Sequence, residues 1–344
     1  MSRLISALVL TSVLLLSSCS PEEPLINSFN GKWRLLLSGP TGLYTISMPD
    51  QTVLNQTWKP TTDLGAYPVQ QLRQYRNDIY VLTKSESITV LNRETLTAVA
   101  EISLSGYGHA ADIAFANATT AYVSLPDSMA VGVIDLTVFQ IVRTISVGDS
   151  TAGIAALGNQ ICVALPHQNK VAIIDSRTNT VEARLDIPSD VPSLVEGDPL
   201  NNVFCVVSLG KGKTPASQGE DPTVPSLSTI NVSTRTITAT VALTSRDSEG
   251  PLQIASSLSV NSSGYCYVPV QNGLLQIQTR TPRRAAAVQF ESYTMCSYDA
   301  ARALLMCTHH DEPRLTIFDE FAEKKLYDVA IPFTTNCRII GLAP

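Results

Sequence analysis

Residues 121–148, AYVSLPDSMAVGVIDLTVFQIVRTISVG, are echoed at residues 161–187 by ICVALPHQNKVAIIDSRTNTVEARLDI, and weaker copies run through the chain. The most regular feature of each copy is an apolar residue near the end of its third hydrophobic run: Ile46, Leu91, Ile134, Ile174, Ile230, Ile277 and Phe318. These seven are separated by 45, 43, 40, 56, 47 and 41 residues. A unit of about 20–50 residues indicates a solenoid or a propeller, and strand content chooses between them. Each copy is a series of short alternating or β-branched runs joined by polar turns, with no segment of helical period. Four short strands per copy make a propeller blade. The fold class is therefore all-β, a seven-bladed β-propeller of four-stranded blades. Its ends complete each other. KWRLLLSG (residues 32–39) reads as a second strand without a first, and TTNCRIIGLAP (residues 334–344) as a first strand without a successor. Pairing them closes the ring with the N- and C-terminal strands and leaves no open sheet edge between blades.

The copy at residues 121–157 resembles the YVTN-type propeller repeat at Tyr122, Val123, Val133, Ile134, Asp135, Ile145, Val147 and Gly148. The likeness persists at Ile173, Ile174 and Asp175 and weakens around Leu43, Gln276 and Ile317, extending over the chain after Gly31. It implies the propeller fold. It also implies a place among bacterial surface lipoproteins, some of which capture cobalamin or similar bulky nutrients for an outer-membrane transporter.

The N-terminus, MSRLISALVLTSVLLLSSCS, has one Arg, an apolar run from Leu4 to Leu16 and then small residues. That run is too short for a hydrocarbon core of about 30 Å and reads as an export signal. LSSC at residues 16–19 resembles a bacterial lipobox, which implies cleavage after residue 18 and acylation of Cys19. The expected organisation is a signal peptide at 1–18, a lipidated cysteine with a flexible tether at 19–31, and the propeller at 32–344. Several acyl chains anchor a protein stably without spanning, so the partners expected are a membrane through the lipid and a small molecule or protein on one face. The expected address is the cell envelope, at the outer membrane. With 16% charged residues and a net charge of −6, the chain lacks the basic surface that nucleic acid requires.

In a propeller the inter-blade loops and the loops between second and third strands share one face, here called the top. All four histidines, His109, His167, His309 and His310, map to it. Counting 13 residues back from the second-strand core in four copies gives Tyr67, His109, Asp149 and Tyr293, a candidate ring of aromatic and polar groups at the channel mouth. With Asp112, His167, His309 and Asp311 they form the candidate ligand-binding set. The alternative is a lactonase-like hydrolase with a mouth cation held by carboxylates such as Asp112 or Asp149.

Other chemistry finds no support. GKGKT (residues 210–214) lacks the first glycine and the helix of a phosphate loop. It belongs to an insertion at residues 210–225 that explains the spacing of 56. Trp33 and Trp58 are too few for the tryptophan docking motifs of quinone-dependent propellers, and no cofactor is expected. The seven cysteines contain no Cys-x-x-Cys. Cys162, Cys205, Cys266 and Cys307 fall on second strands and read as buried thiols, although Cys296 and Cys307 face each other across an inner hairpin, where an oxidising compartment permits a disulfide. Asp135, Asp175 and Asp319 read as turn formers. The lipobox yields the first prediction: Cys19→Ser leaves an unacylated precursor, seen as loss of lipid labelling and a larger mass. Normal acylation of the variant would contradict it.

Overall fold

The computed structural model describes residues 32–39, 42–58, 68–211, 224–243, 257–270, 273–283, 285–333 and 337–342. The chain divides into two units, Met1–Gly31 and Lys32–Pro344, and every described residue belongs to the second. Cys19, Tyr67 and most of the insertion at 210–225 lie outside the described residues.

Twenty-eight strands form seven antiparallel four-stranded sheets. One blade shows the plan: β8 (Ile113–Asn117), β9 (Thr120–Leu125), β10 (Ala130–Asp135) and β11 (Gln140–Ser146) lie side by side in chain order. The closing blade departs from chain order. There β28 (Ile339–Leu342) pairs with β1 (Trp33–Gly39), which continues to β2 (Gly42–Met48) and β3 (Thr52–Trp58). The antiparallel pair places Leu35 opposite Gly341 and Leu37 opposite Ile339, the closure expected from the two half-blades. The other inner strands are β4 (Val69–Tyr75), β12 (Ile154–Leu157), β16 (Pro192–Asp198), β20 (Ser259–Val260) and β24 (Tyr293–Asp299).

The core lies between blades. Apolar residues form seven clusters, and each draws on two neighbouring blades. Strand alternation is the cause: Phe204 packs toward the preceding blade and Cys205 toward the following one. All seven third-strand residues of the repeat are fully buried. The anticipated thiols are buried too, and Cys296 and Cys307 stand in register as free thiols, not a disulfide. Burial pushes the Cys296 thiol up to about 12, so it carries no thiolate near neutrality.

Outer edges carry a repeated bulge. In five blades the fourth strand skips one residue opposite the third-strand anchor, namely Val99, Val142, Glu182, Thr238 and Leu326. An unpaired residue twists an edge strand and spoils it as a template for further pairing. The turns behave as read: Asp135 accepts from Thr137 N at 2.8 Å, Asp175 from Arg177 N at 2.7 Å, and Asp319 from Glu323 N at 2.9 Å.

Backbones of two blades meet at Gly153, whose N–H donates to Ser193 O of the next blade at 2.8 Å. A Cβ there would meet Ser193 O and Val195 N, each at 2.7 Å, both rigid backbone atoms. Gly153→Ala should therefore destabilise the ring by about 1–3 kcal/mol, as overpacking does, measurable by urea unfolding. Removing residues 337–342 should be more severe. It strips Cys337, Ile339 and Leu342 from the core at roughly 1.5–3 kcal/mol each and should abolish the cooperative transition.

Candidate functional site

The seven inner strands line a channel, and their pairing with second strands identifies residues at equal depth. One layer consists of Arg73, Ala114, Ala155, Glu196, Ser259, Ser297 and Ile340, each opposite an equivalent second-strand residue. Two residues earlier, toward the top, stand Gln71, Asp112, Gly153, Leu194, Ser257, Met295 and Arg338. Backbone pairing there includes Ser124 N to Asp112 O, Ala164 N to Gly153 O and Ser38 N to Arg338 O. The equivalent donor for Ser257 is missing because second-strand residue 269 is proline, which accounts for the two-residue β20.

Between these layers lies a cavity of about 190 Å³, walled by all the inner strands except β8 and β12. Arg73 crosses the channel beside it. Its Nε and one Nη donate to the two oxygens of Asp112 at 3.0 and 2.9 Å, and its other Nη donates to Glu196 at 2.5 Å. Arg73 belongs to β4 and Glu196 to β16, three blades on. Ala114 and Ala155 occupy the same layer on the two blades between and leave room for the guanidinium to reach. Arg73 and Glu196 retain about a quarter of their side-chain surface, facing the lumen, whereas Asp112 is nearly closed off.

The lumen shapes the charges. Burial would lower the Arg73 pKa, but Asp112 and Glu196 outweigh it and hold the group above the ordinary arginine value. Burial also raises Glu196, against the attraction of Arg73 and with the repulsion of Asp112. For Arg338, burial opposed by Asp112 and reinforced by Arg73 brings the guanidinium down to about 10, still charged near neutrality.

Of the residues anticipated from sequence, Asp112 is in the cavity wall. His109, Asp149 and Tyr293 do not form one ring. Ile113, Ile154 and Cys296 share a level, and His109 precedes its reference by four residues, Asp149 by five and Tyr293 by three. A bulge between Phe115 and Asn117 lengthens one inner hairpin, so counting back from second strands slips out of step. Tyr293 is 2% exposed and packs against His309 and Phe318. His109 Nδ1 lies 2.7 Å from Asp127, which also accepts from the His109 N–H. Asp149 is buried, accepting from Ser150 N and Gln168 N at 2.8 and 3.0 Å with His167 Nδ1 at 3.2 Å. Asp311 is exposed and pairs with His310. Two blades thus clasp an inter-blade loop to the next top loop through an acid and a histidine eighteen residues apart, His109 with Asp127 and Asp149 with His167, and in a third Arg314 bridges Glu291 and His309.

His309 is buried. Its Nδ1 faces an Arg314 N–H at 3.3 Å, so Nε2 carries the proton toward Thr316 at 2.8 Å, and Thr316 donates to Asp328 at 2.7 Å. Among the described residues, no three His, Cys, Asp or Glu side chains gather to hold a metal ion.

No protein-family model matches this sequence, and no curated relative does. Solved structures do match. The chain is similar to Kuenenia stuttgartiensis hydrazine synthase, with 17% identity, a TM-score of 0.58, and coverage of 71% of this chain and 74% of that one. It is also similar to a chain in the crystal structure of a mitotic checkpoint complex, with 12% identity, a TM-score of 0.61, and coverage of 80% and 83%. The likeness is one of fold.

Sequence reasoning missed Arg73, Glu196, Arg338 and the serines at 257, 259 and 297. A signal existed: aligned first strands show charge at positions where other copies carry small or apolar residues. His309 yields a pH prediction. Burial, then the nearby Arg314 charge, lowers its pKa against the counter-pull of Glu291, Glu312 and Asp328. The unfolded chain then binds the proton more readily, so its contribution to stability is full above about pH 6.5 and falls as pH drops from there toward the folded value. Urea midpoints should show this limb, and His309→Gln should flatten it.

Proposed function

We propose that this chain is a lipid-anchored propeller of the bacterial envelope that binds a small polar solute in its channel mouth, with the top loops as the approach. The observation that carries this reading is the polar cavity of about 190 Å³ whose charged groups come from four separate blades. Such convergence of a few polar groups in a concave site is what ligand recognition requires. The LSSC sequence supports the anchor. The cavity is below the roughly 300–1,000 Å³ of drug-sized sites, which favours a compact solute over a bulky nutrient. Delivery to an outer-membrane transporter is the role we assign by resemblance to YVTN-type lipoproteins.

A lactonase-like hydrolase is the second reading. It needs mouth carboxylates available to a cation, yet both oxygens of Asp112 are engaged by Arg73, and Asp149 caps its loop. Those engagements favour binding without turnover. The test is a screen of polar metabolites by thermal stabilisation, with and without added calcium or zinc, and product analysis of each hit. A binder at hundredfold excess over its Kd should add about 2.7 kcal/mol of stability and be recovered unchanged. Ser297→Phe, which fills the cavity, should remove the effect. Product formation would replace this reading with the hydrolase, and stabilisation untouched by Ser297→Phe would move the site elsewhere.

A further inference from the structure

We propose that the hairpin end of the propeller, opposite the channel mouth, docks on an anionic phospholipid surface. This rests on the reading of the chain as lipid-anchored and adds which face the anchored ring turns to the bilayer.

In each blade the turns between first and second strands and between third and fourth strands lie at the end opposite the top. Four exposed cations stand in such turns. Arg280 and Arg283 lie between β22 (Gly273–Gln278) and β23 (Ala286–Gln289), Lys324 between β26 (Arg314–Asp319) and β27 (Lys325–Ala330), and Arg76 between β4 and β5 (Asp78–Thr83). Their three blades and the closing blade form one unbroken arc. Among the described residues, none of the four cations forms an ion pair.

The acids of this face are engaged inside their turns. Asp175, Asp198, Asp299 and Asp319 each accept a backbone N–H from two to four residues on, at 2.7–3.0 Å. Arg177 shows the asymmetry: its side chain is 70% exposed, whereas the Asp175 carboxylate paired with it is 1% exposed. Among the described residues, Glu94 and Glu323 are the exposed acids left on this face without an ion pair. The top carries the opposite sign, with Glu86, Asp127, Asp186, Asp311 and Glu312 exposed. A chain of net charge −6 is repelled by an anionic surface unless it presents its basic end within about one Debye length, roughly 8–10 Å.

Apolar tips accompany the cations. Phe321 shares a turn with Lys324, and Leu200, 62% exposed, lies in the turn between β16 and β17 (Val203–Ser208), on the blade next to the arc. Basic side chains beside apolar ones suit the headgroup region of a bilayer. The chain also enters the ring on this side. Lys32 pairs with Asp50, in the turn between β2 and β3, at 3.6 Å, and twelve residues separate it from Cys19. Such a length reaches about 40 Å at most. An acyl anchor therefore holds this rim near lipid, at an effective concentration that makes weak individual contacts sufficient. That proximity favours lipid over an acidic protein as the partner, and the docked ring opens its channel mouth away from the bilayer.

The experiment uses the acylated protein, made from the full chain, in vesicles of phosphatidylcholine with and without phosphatidylglycerol, a nitroxide-labelled lipid serving as quencher. A single dye-bearing cysteine is introduced at Thr281, in the hairpin end, or at Lys84, in a top loop. The six described native cysteines are buried and stay unlabelled. Phosphatidylglycerol should raise quenching at Thr281 severalfold over that at Lys84. Salt at about 1 M, which shortens the Debye length to about 3 Å, should remove the difference. The combined substitution Arg280→Glu, Arg283→Glu and Lys324→Glu should remove it too, at unchanged melting temperature. Should that variant fold poorly, the salt dependence decides. Equal quenching at the two positions, or a Thr281 signal indifferent to phosphatidylglycerol or to salt, overturns the docking. A signal that follows copies per vesicle and not the quencher also overturns it, by placing a second copy on the face. Failure to sediment with any vesicle overturns the anchor and the docking together, whereas sedimentation without the Thr281 signal removes the docking alone.

Discussion

No blade of this protein has a core of its own. Each of the seven apolar clusters is shared by two neighbours, so a sheet buries its faces only when both adjacent sheets are present. An open row of blades would leave two apolar faces in water, at about 25 cal/mol for each Å² exposed. The join between β28 and β1 is therefore the contact on which the others depend. It is made by two segments some 300 residues apart in sequence, Ser38 and Arg338, whose backbones pair at 2.9 Å. The glycine contact at Gly153 shows how tightly the ring is drawn once it closes.

That arrangement leaves the channel wall as the part of each blade with least to do for stability. Second and third strands are committed to packing on both faces, and most of their residues are buried. Inner strands also pack on both neighbours, Ile113 toward one blade and Ala114 toward the other, but turn a free edge to the lumen, where the residues range from glycine to arginine. A charged group there needs a partner, and the narrowness of the channel supplies one from across the ring. Arg73 satisfies this demand by meeting carboxylates from two other blades.

The legibility of the sequence follows the same division. Third-strand anchors such as Ile134, Ile174 and Phe318 have to be large and apolar because they are enclosed on both sides, so their spacing reveals seven blades and the terminal closure. Turn aspartates were equally readable because their bonds are local. The site was not. Arg73 and Glu196 are 123 residues apart and become partners only through ring geometry. The bulge after Phe115 shifts one hairpin and the turn between Asp299 and Leu304 lengthens another, so a ring counted along the chain loses its register and gathers His109, Asp149 and Tyr293 from different levels. Spacing along the chain assigns Tyr293 to the channel mouth, whereas its ring fills the space beside His309. Asp112 was the anticipated residue that reached the cavity wall, and its partner there is an arginine.

The charged bridge is difficult to explain by stability alone. Burying a guanidinium and two carboxylates costs several kcal/mol for each ion before their attraction is counted, and well-packed apolar groups commonly fill such space at no loss. Other positions of the same layer show that option in use, with alanine at 114 and 155 and isoleucine at 340. A plug made only to block the channel would need nothing more. What the bridge adds is direction. It fixes Glu196 with one oxygen on Arg73 and offsets part of what burial costs its charge, in a cavity whose other walls carry hydroxyls and a second guanidinium. An oriented polar lining of this kind distinguishes ligands by the placement of their polar groups, which an apolar plug cannot do.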